Sequence, residues 1–163
     1  MKKYHLVLTA CLFIMSFSIF ATTPKINIED TVMKMPLADG VSFDDAVSSM
    51  KLRANIRNMK LVAELPLSKQ IEAMGKKARR MEIYQFCDPL TAQRMVEANI
   101  NFAAYLPCRI AVVEDEKGQG WLVMMNLDMM LNGATLTNEL KAEAMKVRDT
   151  LIDIMQAGAN GDL

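Results

Sequence analysis

The chain of 163 residues balances 19 basic against 19 acidic side chains and holds one histidine, three cysteines and 15 methionines. A near-neutral charge with no basic cluster excludes a nucleic-acid surface and a polybasic membrane patch. Lys2 and Lys3 precede a largely apolar run over residues 6–20 that ends at Ala21, the pattern of a secretory leader too short for a comfortable permanent span.

That leader implies export across the inner membrane to the periplasm, an uncleaved N-terminal anchor being the alternative. Leu8-Thr9-Ala10-Cys11 has the residue types of a lipid-modification site, but Cys11 lies inside the apolar run instead of at its end. Cleavage after Ala21 leaves 17 basic and 19 acidic residues and removes His5, the only histidine. The mature chain therefore has no imidazole, which excludes Ser-His-Asp and Cys-His catalysis and histidine-ligated zinc.

In chain order, residues 22–38 form a polar lead-in and then an edge strand over 31–38, an edge because Pro36 cannot donate to a ladder. Ser42 and Asp45 have the spacing of a capping box, and Phe43, Ala46, Val47, Met50 and Ala54 follow at helical intervals, so a helix covers 42–58. A strand over 59–67 ends at Pro66, and a short helix over 68–74 is closed by Gly75. Residues 79–87 alternate Met81, Ile83 and Gln85 against Glu82, Tyr84 and Phe86, which predicts a strand packed on both faces.

Asp88 caps the next helix, with Pro89 at its first position, and that helix reaches Asn99. Residues 108–126 read as a hairpin around a charged, glycine-containing turn, with Glu114, Asp115 and Glu116 in solvent and Trp121 packed on the sheet. A long amphipathic helix fills 135–156, and the glycine-rich end, 157–163, reads as a flexible tail. With residues 1–21 as leader, 39–156 form a single α+β domain: a two-layer sandwich whose mainly antiparallel sheet has about five strands and helices on one face.

Cys87 ends one strand and Cys108 begins the next, so neighbouring strands would bring both thiols to one end of the sheet. Two cysteines in an oxidising compartment favour a structural disulfide. A helix N-terminus next to Cys87 favours a redox thiolate instead, although Asp88 opposes it and there is no CxxC motif. A thiolate pair holding a soft metal or a cofactor is the third alternative.

The segment Cys87-Asp88-Pro89, a helix carrying Ala92 and Met95, then Leu106-Pro107-Cys108 ahead of a hairpin resembles domain-of-unknown-function family 302. The resemblance spans about residues 39–131 and includes the helix that opens "SFDDAV". It implies a small bacterial or archaeal α/β domain without an established activity. Asp88 stands where the family has Asn, and Asn126-Leu127-Asp128 where it often has Asp-Pro.

Met124 and Met125, with Met129 and Met130, raise a Cu(I)-type site with the two cysteines, but adjacent strand residues point to opposite faces, and methionine is an adaptable core filler. Arg79, Arg80 and Arg109, with Asp88, are candidates for a ligand or anion surface near the thiols. No glycine-rich phosphate loop or acid–base carboxylate pair stands out. The expected function is a periplasmic binding or accessory module, not an enzyme, for a small ligand or a protein partner; no resident cofactor is expected. Thiol redox chemistry and soft-metal carriage are the alternatives, and a homodimer through an exposed sheet face fits the pattern.

Overall fold

The computed structural model describes residues 25–162, so the expected leader at 1–21 and its cleavage site lie outside it. A 3-10 turn, Ile28–Thr31, leads into strand β1, Val32–Pro36. Helix α1, Phe43–Ile56, starts at the expected capping box: Ser42 Oγ accepts from the Asp45 N–H at 3.1 Å, and the Asp45 carboxylate accepts from the Ser42 N–H at 3.4 Å. Strand β2, Lys60–Leu65, helix α2, Leu67–Ala73, and strand β3, Met81–Cys87, follow, with Gly75 at φ +77° closing α2.

Helix α3, Pro89–Ala98, is capped by Asp88, and a 3-10 helix, Ile100–Tyr105, leads to strand β4, Cys108–Glu114, and strand β5, Gly120–Met125. Helices α4, Leu127–Gly133, and α5, Asn138–Asn160, complete the chain. The five strands form one antiparallel sheet in the order β1-β5-β4-β3-β2, so the proline-containing strand is indeed an edge. Among the described residues, no helix is long and apolar enough to cross a membrane.

The sheet has two unlike faces. Phe86, Ile110, Val112 and Leu122 turn inward against Ala46, Met50 and Ala54 of α1 and Leu151, Ile154 and Met155 of α5. The opposite face exposes parts of Met81, Ile83, Ala111, Val113, Trp121 and Val123. Strand β3 is therefore packed on one face, not two, and the inward residues include Glu82. A second core joins Met95, Phe102, Leu131, Leu140 and Ala144, tying α3, α4 and α5 together at one end.

Three local expectations change. α4 occupies residues to which the sequence assigned no element; Asn126 caps it by accepting from the Asp128 N–H at 3.2 Å. α5 starts at Asn138, capped by Thr137, later than the expected 135. The tail expected at 157–163 is instead the last turn of α5 through Asn160, with Ala157, Gly158 and Ala159 buried. Gly158 is small because α1 lies against it: a Cβ there would stand 2.5 Å from Met50 Cγ and 3.1 Å from the Ala46 carbonyl oxygen.

Candidate functional site

The residues of the Cys-x-Pro and Leu-Pro-Cys elements converge. Cys87 leaves β3 directly into Asp88, whose carboxylate accepts from the N–H groups of Leu90 at 3.1 Å and Thr91 at 3.4 Å, and from the Thr91 hydroxyl at 2.8 Å. Asp88 is thus fully engaged in starting α3, as an N-cap requires. Cys87, Asp88, Thr91, Met95, Leu106 and Cys108 then line one small cavity of about 50 Å³, closed by Phe102, Leu131 and Ala144 of the second core.

Both cysteines are free thiols, not the disulfide their positions predict. The register gives the reason. Phe86 lies opposite Cys108, and Cys87 lies opposite Lys60 on β2. The two cysteines are one residue out of step, so the position directly across from Cys108 belongs to Phe86, while both thiols border the same small cavity. Burial pushes the Cys87 thiol up, and the Asp88 charge adds to it. Burial, then the neighbouring Cys87, pushes Cys108 up to about 11, with Arg109 opposing weakly. Both are neutral at physiological pH, which makes them poor nucleophiles and leaves an apolar wall.

A larger cleft of about 740 Å³ adjoins that wall. Its floor is one end of the open sheet face, with Val32, Ile83, Ala111, Val123 and Met125, and its sides are Phe102, Tyr105, Met129, Met130 and Gly133. Phe102, Tyr105, Cys108, Leu127 and Met130 are shared by the two cavities, so Cys108 stands at the partition. Met124 is 4% exposed and Met125 40% exposed, as opposite faces demand, yet both border this cleft. No group of three or more His, Cys, Asp or Glu side chains among the described residues could hold a metal ion.

The arginines separate. Arg109 lies on the open face of β4, opposite Gln85, and lines the cleft. Arg79 and Arg80 lie before the start of β3, at the far end; at about 3.3 Å per residue the strand puts them roughly 20 Å from the cysteines. Arg79 reaches Glu116 of the hairpin turn at 3.6 Å. Arg80 pairs with Asp44 at 2.7 Å and with Glu82 at 3.2 Å. The single anion surface expected from Arg79, Arg80 and Arg109 is thus not formed.

Sequence reasoning missed the group at that far end. Glu82 is 4% exposed and accepts from the Tyr84 hydroxyl at 2.6 Å; Lys51, paired with Glu64, rests 5.3 Å from the Tyr84 ring centroid. Burial alone would push Glu82 up, but the Tyr84 hydroxyl and Arg80 guanidinium outweigh it and hold the carboxylate below its ordinary range. The available signal was the Arg80-x-Glu82-x-Tyr84 alternation, which places three polar side chains on one strand face. The turn acid Asp115 is likewise structural, accepting from the Trp121 indole N–H at 3.0 Å and the Lys117 N–H at 2.8 Å.

Comparison with known proteins agrees with this reading of the fold. A crystal structure of an uncharacterized conserved DUF302 protein from Bacillus stearothermophilus superposes with a TM-score of 0.63 at 17% sequence identity, covering 78% of this chain and 97% of that one. No curated protein matches the chain. The family profile described as domain of unknown function DUF302 matches residues 33–158, which take in both cysteine elements and every strand but the first residue of β1. The chain belongs to the DUF302 family.

Proposed function

We propose that this domain is a periplasmic binding module, exported by the leader at its N-terminus, that holds a small apolar molecule in the cleft beside Cys108. The observation that carries this reading is the cleft itself: about 740 Å³ of largely apolar, open space, joined through Cys108, Phe102 and Tyr105 to the cavity built by both cysteine elements. Ligand sites have this size, and this mix of apolar wall and few polar groups. Methionine side chains at Met125, Met129 and Met130 suit an adaptable apolar lining. The cysteines act here as neutral wall groups, in keeping with the upward shift of both thiols.

The test uses N-phenyl-1-naphthylamine, an uncharged apolar dye that fluoresces when removed from water. Saturable binding is expected, together with slower alkylation of Cys108 when dye is bound. Ala111→Trp, which fills the floor, should abolish both effects. Absence of saturable dye binding, or dye binding that leaves Cys108 alkylation unchanged, would refute the reading.

A further inference from the structure

We infer that the ligand of this cleft is an amphiphile with a single anionic head, and that Arg109 is the group that receives the head. The inference rests on the apolar-cleft reading and adds the chemical class of the occupant. Arg109 is the only charged side chain among those lining the cleft. The other six arginines of the chain, Arg53, Arg57, Arg79, Arg80, Arg94 and Arg148, each pair with a carboxylate. Among the described residues Arg109 has no such partner.

Its surroundings make that solitude informative. Arg109 is exposed, follows Cys108 at the partition between the two cavities, and shares the open sheet face with Ile83, Ala111, Val123 and Met125. Across β3 its register partner is Gln85, a neutral side chain, so the protein supplies no charge to compensate it on that side. A guanidinium presents a rigid fork of donors that matches a carboxylate or phosphate in two parallel hydrogen bonds. Set at the rim of an otherwise uncharged cleft, it can take the head while the floor takes the chain. A neutral apolar molecule would leave the fork unused, and a cation would be repelled by it.

Displacement of bound N-phenyl-1-naphthylamine by decanoate and by decanol, which share a chain and differ in the head, isolates the contribution of Arg109. Decanoate should displace the dye from the wild-type protein at a concentration lower than decanol by on the order of tenfold, the size expected for a charge-assisted pair. The preference should shrink in high salt. Arg109→Gln should erase it, so that decanoate and decanol displace the dye at similar concentrations, and Arg109→Lys should keep part of it. Equal displacement by decanoate and decanol in the wild-type protein would overturn the inference while leaving the apolar cleft standing. Failure of the dye to bind would remove the cleft itself. Arg109-dependent sedimentation with phosphatidylglycerol vesicles, without any decanoate preference, would overturn it in favour of a lipid surface.

Discussion

Strands β3 and β4 carry ionisable groups into the protein at both ends, and the two ends treat them differently. At the β3 start, Glu82 is buried beneath α1 yet stays charged, because Tyr84 donates to it at 2.6 Å and Arg80 at 3.2 Å. At the β3 end, Cys87 and Cys108 meet Met95, Leu106 and Phe102, and burial keeps them protonated. Burial works against the charged form in both places; what differs is whether the strand also delivers donors. The polar end has a cleft of about 380 Å³ whose charges pair among themselves, Arg80 with Asp44 and Glu82, and Lys51 with Glu64. The thiol end leaves apolar space, and Arg109, next to Cys108, is unspent. Both ends have room for a ligand, and only the thiol end meets it with a largely apolar wall.

The largest expected effect comes from breaking the polar end. Arg80→Met removes the guanidinium from a carboxylate that stays buried, which should cost about 3–5 kcal/mol at neutral pH, read by urea unfolding. Because Glu82 titrates below its unfolded value, its stabilisation is present above the unfolded carboxylate pKa and is lost as pH falls through the lower folded value. Without Arg80 that depression weakens, Tyr84 remaining as donor, so the penalty of the variant should shrink between pH 7 and pH 4. An equal penalty at both would mean that Arg80 acts by packing alone. Adding Glu82→Leu should recover most of the loss, since no uncompensated charge remains.

The polar end also marks where the sequence stops being legible. Signals confined to a few neighbouring residues were readable: the Ser42–Asp45 box, the Asp88–Pro89 helix start and the proline in β1. Placement that depends on strand direction was not. Arg79, Arg80 and Arg109 look like one surface until β3 carries the first two to the opposite end, and Cys87 and Cys108 look directly opposed until the ladder sets Phe86 across from Cys108. Gly158 was read as tail because glycine and alanine mark loose ends and tight helix contacts alike; only the proximity of α1 decides. The cleft was invisible for a related reason, since α4 and the Ile100–Tyr105 helix become walls only once the open sheet face is known.

At the thiol end the expected effects are smaller and of opposite chemistry. Cys108→Ser keeps the shape and places a hydroxyl in an apolar wall, so it should unfold more readily than Cys108→Ala by about 1 kcal/mol. Urea denaturation of the two variants measures this directly. A serine variant as stable as the alanine one would mean that the site supplies a hydrogen-bond partner, erasing the contrast with Glu82.

The finest test concerns Asp88, which lies as a charge beside the half-buried thiol of Cys87. Its carboxylate caps α3 through Leu90 and Thr91, and asparagine caps as well as aspartate, so Asp88→Asn should leave stability nearly unchanged. Burial is the main reason that Cys87 is hard to ionise, and Asp88 is the second. Removing the charge should therefore bring the Cys87 thiol down only part of the way, raising its alkylation rate at pH 7.5 a few-fold. Cys108, shifted by burial and then by Cys87, should respond less. An unchanged Cys87 rate would mean that burial alone keeps this end neutral. A rate like that of an exposed thiol would mean that the aspartate, and not the apolar wall, separates the two ends of the sheet.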